Sequence, residues 1–135
     1  MQTNLSKFYM DSDSGDKTFK YMVHGVTFTL KYAGRANKEF VLCLARSSMK
    51  HQVTAIIDDD ANQEQLFNAT KNINLDVMVE SLLIGWSGLV DDNSKQITFT
   101  KHKAKELLTK LPDLVHELYA VCQNTNNFSE DFEKK

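Results

Sequence analysis

The chain has 135 residues, of which 41% are apolar and 25% are charged, and this fits one globular domain that buries a core without metal or disulfide cross-links. Its formal net charge of -2 argues against a general nucleic-acid-binding protein, which carries a strong basic excess, although a local basic patch stays open. No apolar run reaches the roughly 18 residues that a membrane-spanning helix needs, so we expect a cytoplasmic protein without a membrane contact.

The first predicted element is a β-hairpin. Residues 1–17 are polar and rich in Asp and Ser, and we expect a flexible tail there. In the following stretch, TFKYMVHGVTFTLKY, apolar and polar residues alternate on both sides of a possible two-residue turn at His24 and Gly25. That turn places Val23 opposite Val26, Tyr21 opposite Phe28, and Phe19 opposite Leu30. All six apolar side chains then share one face, which must cover a core.

Two helical patterns follow the hairpin. Apolar residues at helical spacing predict a first helix over residues 38 to about 57, with Asn37 as its N-cap, and a pause in this helix around residues 47–51 stays open. Three aspartates at positions 58–60 then indicate a boundary, because carboxylates favour the start of a helix. Leu66 and Phe67 are the expected apolar anchors of the polar segment that comes next. A further helix is predicted over residues 74–84, with Asn74 as its cap.

The only tryptophan lies in the stretch LLIGWSGLVDD, between two of the five glycines. Gly85 is predicted to end the preceding helix in a left-handed conformation, and Gly88 to turn the chain again. Trp86 then fills the corner between that helix, the hairpin and the last two helices; the alternative is an exposed hot spot for a partner. Residues 91–95 have turn composition between two strand-like runs, which predicts a second short hairpin.

Two helices complete the predicted fold. Thr100 caps the helix KHKAKELLTKL, and Pro112 begins the helix PDLVHELYAVCQN. The buried stripe at helical spacing comprises Leu111, Val115, Leu118 and Cys122. We therefore predict an α+β domain over residues 18–128, in which the N-terminal hairpin packs on a mostly helical body and the second hairpin precedes the last two helices. Residues 129–135 are expected to form a flexible tail.

Motifs for catalysis and metal binding are missing from the sequence. The nucleophile pattern GxSxG and the phosphate-binding patterns GxxxxGK[ST] and GxGxxG do not occur. Cys43 and Cys122 share no ligand spacing with each other or with the four histidines, so we expect buried free thiols instead of a zinc site. The three aspartates at 58–60 lack the alternating ligands of a calcium loop. We expect no enzymatic activity, no cofactor and no metal.

The region after the second predicted helix carries a family resemblance. The segments GWSGLVDD and ITFTKHKAKELLTKLPDLVHELYAVCQNTNNF resemble the tail assembly chaperones of long-tailed bacteriophages, and VTFTLKYAGRANKEF matches more weakly. The turn DDNSK departs from the family pattern, which often has a glycine there, and this leaves the geometry of the second hairpin open. The residues expected to define the corner of the fold are Gly85, Trp86, Gly88, Leu89, Phe99 and Pro112.

The resemblance implies a chaperone that binds the tail tape measure protein, a long helical chain, and keeps it soluble until the tail tube forms around it. The tail tube protein and a longer form of the chain itself, made by a ribosomal frameshift near the terminal FEKK, are further expected partners. Such a protein acts in the host cytoplasm and leaves the finished virion. From the residues alone, the candidate client contacts on the last helix are Leu114, Tyr119 and Val121. The methionines Met22, Met49 and Met78 are candidates for an adaptable surface or for core packing.

Two alternative functions stay open at this stage. The helix between Lys101 and Lys110 is rich in basic residues, which suits an interaction module for nucleic acid or for a host protein. The plainer interpretation is that this helix has a solvated surface, whose positive field is reduced by the acidic residues around it. The other alternative is a structural tail or neck protein, which would be found in purified virions.

Overall fold

The computed structural model describes residues 17–51 and 63–128, and within these ranges it has the predicted α+β architecture. The strands are β1 (Thr18–Val23), β2 (Val26–Lys31) and β3 (Leu83–Ser87). The helices are α1 (Lys38–Lys50), α2 (Gln63–Val77), α3 (Lys101–Leu108) and α4 (Pro112–Gln123). A π-helical turn, Met78–Leu82, follows α2, and a 3₁₀ turn, Thr125–Asn127, follows α4. The expected tails and the aspartates at 58–60 lie outside the described residues.

The N-terminal hairpin has the predicted register. Phe19 pairs with Leu30, Tyr21 with Phe28, and Val23 with Val26. His24 and Gly25 have φ angles of 50° and 82°, and positive values at both central residues are what a type I′ turn requires. Phe28 and Leu30 are buried, so the apolar face of β2 covers the core as expected.

Helix α1 begins where the sequence predicts. The Asn37 side chain accepts a hydrogen bond from the Phe40 amide (3.2 Å) and also donates to the carbonyl oxygens of Tyr32 (3.0 Å) and Ser81 (3.2 Å). One buried side chain thus caps α1 and joins it to the end of β2 and to the π-helical turn. The helix ends at Lys50, and its predicted continuation to residue 57 falls almost entirely outside the described residues.

Helix α2 corrects two predictions. Asn74, the predicted N-cap, lies well inside α2, because Ala69, Ile73 and Val77 form a buried stripe at four-residue spacing that carries the helix through the polar segment. Phe67, predicted as a core anchor, is 68% exposed. It lies two residues before Ala69, and at 3.6 residues per turn that places it on nearly the opposite side of the helix. Leu66 is half-buried.

The prediction that Gly85 ends a helix is wrong. The π-helical turn stops at Leu82, and the chain then forms β3, which pairs antiparallel with β2 and makes the sheet order β1-β2-β3. Gly85 pairs with Thr29 in this strand; its φ is not positive, and a Cβ there would meet nothing within 4 Å. Pairing with β2 satisfies the backbone, so no left-handed helix cap is needed.

The second hairpin is present as a turn with minimal pairing. Gly88 turns the chain as predicted, with a φ of 84°. Beyond it, Val90 and Gln96 form an isolated bridge, and the Ile97 amide donates to the Leu89 carbonyl oxygen at 2.9 Å. The runs 89–90 and 97–99 therefore adjoin one another as expected but do not extend into strands.

The last two helices begin at the predicted residues. The Thr100 hydroxyl accepts from the Lys103 amide at 3.0 Å, and Pro112 is the first residue of α4. Val115, Leu118 and Cys122 are buried as predicted, but Leu111 is 46% exposed, because it precedes α4 and stands at its cap position. In the part of the chain with described structure, every helix is too short or too polar to cross a lipid bilayer.

Candidate functional site

The corner around Trp86 is built by the segment from β3 to the start of α3. Trp86 is half-buried, and its ring meets the Phe99 ring edge-on with centroids 4.9 Å apart. Its Nε1 donates a hydrogen bond to the Ile97 carbonyl oxygen at 2.7 Å. Both aromatic rings pack against the core. The indole therefore joins the Val90–Gln96 turn to strand β3.

The other residues assigned to this corner fall into two places. Gly85 lies in β3, Gly88 turns the chain after it, and Leu89 accepts the backbone hydrogen bond from Ile97. Pro112 instead lines a groove to which none of the other five contributes a wall.

The candidate client contacts on α4 are only partly accessible. Leu114, Tyr119 and Val121 are each half-buried and pack against the core. The Tyr119 ring lies edge-on to Phe40 with centroids 6.2 Å apart, and burial is the main cause that raises the pKa of its hydroxyl. Of the three methionines considered, Met78 is fully buried, whereas Met22 and Met49 are exposed.

A groove with a volume of about 370 Å³ lies between α2 and the junction of α3 with α4. Its buried apolar part comes from Leu108 and Val115, with the half-buried Leu75 beside them. The remaining lining residues are Phe67, Thr70, Lys71, Asn72, Asn74, Thr109, Pro112, Asp113 and His116. An apolar interior with a mixed polar rim is typical of a recognition site, and this volume falls within the range of ligand pockets.

Phe67 is the feature of this groove that sequence reasoning misjudged. An aromatic residue in a helical segment is usually core, and the sequence therefore predicts a core anchor. The usable signal was its position off the buried stripe of α2, where its sequence neighbours are mostly polar. An aromatic side chain that lies on the wall of a groove and remains 68% exposed is a candidate contact for a partner.

A polar cluster between α1 and the end of α2 contains residue types used in catalysis. The Ser47 hydroxyl donates to Asp76 Oδ2 at 2.7 Å, and His51 Nε2 lies 3.2 Å from the same oxygen. The carboxylate thus separates the serine from the histidine, whereas a catalytic triad needs the histidine next to the hydroxyl. The Cys43 thiol donates to Glu80 Oε2 at 3.1 Å. Burial, reinforced by Glu80, raises the pKa of Cys43 to about 12, so the thiol stays protonated.

This cluster is suited to joining helices. Each of its hydrogen bonds links α1 or the residue that caps it to α2 or the π-helical turn. Across residues 17–51 and 63–128, no group of three or more histidine, cysteine, aspartate or glutamate residues has the geometry to hold a metal ion. Cys43 and Cys122 are free and buried, as predicted.

The basic helix α3 is partly engaged within the protein itself. Lys101 Nζ donates to the Glu80 carbonyl oxygen at 3.2 Å, and Lys103 lies 3.6 Å from Glu106 in an ion pair. His102, Lys105 and Lys110 are exposed. Lys101 thus binds the backbone of the π-helical turn, and this use of its charge weakens the case for α3 as a phosphate-binding surface.

Comparison with known proteins identifies a family for this chain. A family model described as "YdaY prophage protein" matches residues 37–135, well over half of the chain. The match begins at the cap of α1 and includes the groove, the Trp86 corner and α4, while the hairpin of β1 and β2 precedes it. Searches of curated proteins and of solved structures found no match.

Proposed function

Since the chain belongs to the YdaY prophage protein family, we propose that this prophage protein is a tail assembly chaperone. It binds the tape measure protein of the same prophage and keeps that long helical chain soluble in the host cytoplasm until tail tube subunits assemble on it. The proposed role requires reversible binding and no catalytic chemistry. The prophage family supports the setting, and the resemblance of residues 85–92 and 97–128 to tail assembly chaperones supports the specific role.

The groove between α2 and the junction of α3 with α4 is the observation that carries this proposal. A chaperone for an amphipathic helix must offer apolar surface of limited extent, so that it shields its client while staying soluble itself. Phe67 supplies an exposed aromatic contact, and Leu108 and Val115 supply an apolar floor. A client helix would insert apolar side chains spaced three or four residues apart, as in other helix-in-groove complexes.

The rim of the groove provides polar contacts for the flanks of such a helix. Lys71 lies on the α2 side, and Asp113 and His116 lie on the α4 side. Both signs of charge are therefore available, which suits a client helix with mixed polar flanks. The family resemblance is relevant to this surface, because the segment LPDL contributes Pro112 and Asp113 to the groove.

Co-expression tests the proposal. The tape measure protein is produced with and without this chain, and its soluble fraction and co-purification are measured. We expect clear solubilisation by the native chain and a loss of most of it with Phe67→Ser. Met22→Ser is the matched control, because Met22 is 67% exposed but lies on β1, away from the groove.

The outcomes distinguish a failure of the chaperone role from a failure of the groove as the binding surface. A tape measure protein that stays insoluble with the native chain would contradict the chaperone role. Solubilisation that is lost with Met22→Ser and kept with Phe67→Ser would place the client on the sheet and contradict the groove. Retention of solubilisation in both variants would also exclude Phe67 as the main contact.

A further inference from the structure

Helix α1 presents a second apolar face, opposite the one that packs on the core. Its buried residues are Phe40, Cys43 and Ser47. A separate set of exposed positions follows the spacing four, three, four, and we call it the α1 stripe: Lys38, Leu42, Ala45 and Met49. Leu42 is 49% exposed and Met49 is 79% exposed, and Val41 adjoins the stripe at 40%.

The spacing of the α1 stripe is that of a helix-pairing seam. Residues separated alternately by four and three positions line one side of a helix, and two such seams pack knobs into holes. A helix that covers only a core needs one apolar face, so a second one is unusual unless it has a partner.

We propose that the α1 stripe pairs with the α1 stripe of a second copy of this chain, with the two helices antiparallel about a two-fold axis. In this alignment Leu42 of each copy lies opposite the partner's Ala45, so a large side chain faces a small one and the helices can approach closely. Met49 then lies opposite the partner's Lys38, whose aliphatic stem can cover it while the ammonium group reaches water. A two-fold contact requires such self-complementarity.

The charges beside the α1 stripe select this orientation. Glu39 and Arg46 are both exposed and are seven residues apart, which puts them on the same flank of the helix. In an antiparallel pair, each flank meets the same flank of the other copy. Glu39 of each copy then lies beside the partner's Arg46, which gives two such pairs per dimer. In a parallel pair that flank would meet the one that carries Val41 and Ser48, which offer no charge. The sequence thus favours a second copy, and favours it in the antiparallel arrangement.

The association is expected to be weak. Two helices of 13 residues bury far less than the roughly 1,600 Å² of a standard stable interface. We therefore expect a concentration-dependent equilibrium between monomer and dimer. The contact uses none of the residues that line the groove at Phe67, so it stands whether or not that groove binds the tape measure protein.

Sedimentation equilibrium of the full chain over a wide concentration range tests the pairing. We expect Glu39→Lys and Arg46→Glu each to weaken dimerisation by about fivefold or more, since each replaces two attractive pairs with two repulsive ones. An equimolar mixture of the two variants should dimerise again, because one copy then carries two positive charges on this flank and the other carries two negative ones. Lys105→Glu, a charge reversal at an exposed position of α3, should have no effect.

A second pair of variants tests the apolar contact. Leu42→Glu should abolish self-association, whereas Val90→Glu, at a position of nearly equal exposure (48%) in the turn after β3, should not. Circular dichroism confirms that each variant is folded. A native chain that is monomeric throughout, variants that dimerise like the native chain, or a mixture that fails to regain dimers would each overturn the proposal.

Discussion

Trp86 and Phe99 meet edge-on, with ring centroids 4.9 Å apart, although the turn that separates them in sequence has almost no regular pairing. The indole Nε1 also donates to the Ile97 carbonyl oxygen at 2.7 Å. These two contacts hold the segment before α3 against β3. The indole therefore adds two contacts to the backbone hydrogen bonds within that segment, such as the one from the Asp91 amide to the Lys95 carbonyl oxygen at 2.9 Å.

Replacing the indole separates its packing from its hydrogen bond. Trp86→Phe keeps an aromatic ring but leaves the Ile97 carbonyl oxygen without its donor, and we expect a loss of about 1–2 kcal/mol in the free energy of unfolding. Trp86→Ala also removes the ring contact and should cost about 3 kcal/mol or more. Urea denaturation followed by circular dichroism measures both. Equal losses in the two variants would show that the hydrogen bond dominates.

The two glycines that flank Trp86 are expected to respond differently to alanine. Gly88 has a φ of 84°, and a Cβ there would lie 2.9 Å from the Gly25 carbonyl oxygen, so Gly88→Ala should destabilise the fold by about 1–3 kcal/mol. At Gly85 a Cβ would meet nothing within 4 Å, and the backbone is that of a strand. Gly85→Ala should be neutral or slightly stabilising, because it restricts the unfolded chain.

Thermal or urea unfolding of the two variants side by side decides this comparison. A large loss of stability in Gly85→Ala would contradict the strand conformation and would support the helix cap expected from the sequence. A neutral Gly88→Ala would contradict the close approach of this turn to the β1–β2 turn.

Of the two strand pairings in the sheet, only the one between β1 and β2 could be predicted from the sequence. The β1–β2 register was predictable because the alternation and the turn residues are adjacent in the chain, and the pairing is local. Strand β3 was not, because LLIGWS does not alternate and its pairing partner, β2, is distant in sequence. The helical pattern of α2 continues directly into the apolar residues of β3. The sequence therefore gives no local sign that the helix ends in a π-helical turn.

The groove could not be predicted from the sequence for a related reason. Its walls come from α2 and from the junction of α3 with α4, so no single segment shows that they meet. Pro112 was identified as the start of the last helix and Phe67 through its apolar character, but neither signal indicates a shared surface. The caps at Asn37 and Thr100 were predictable, because each depends on a side chain three residues from its amide.

These two caps provide a further matched comparison. Asn37→Ala removes a cap and also two hydrogen bonds to the carbonyl oxygens of Tyr32 and Ser81, at a position that is 2% exposed. We expect a loss of about 3 kcal/mol in the free energy of unfolding, since buried carbonyl groups lose their donor. Thr100→Ala removes only an exposed cap and should cost about 1 kcal/mol. Similar losses at both positions in urea denaturation would mean that water replaces the buried contacts of Asn37.

The buried thiols predict how stability responds to alkaline pH. Burial raises the pKa of Cys122 to about 12 from a usual value of 9.0, and burial together with Glu80 raises that of Cys43 to the same value. Because the folded chain holds these protons more tightly than the unfolded chain, the thiols' contribution to stability is fully present below pH 9. It is lost progressively as the pH rises from about 9 to about 12, and the Tyr119 hydroxyl, whose pKa is also raised, acts in the same direction.

Urea denaturation between pH 7.5 and 10.5 measures this loss, and Cys122→Ala should make stability fall less steeply with pH even if it lowers stability at pH 7.5. Labelling with a thiol reagent gives an independent test. Both cysteines are buried, at 1% exposure or less, so the folded chain should react slowly and the urea-unfolded chain at once. Rapid labelling of the native chain at neutral pH would show that α1 or α4 opens readily. An unchanged pH slope in Cys122→Ala would show that its thiol is not held in the protonated state by burial.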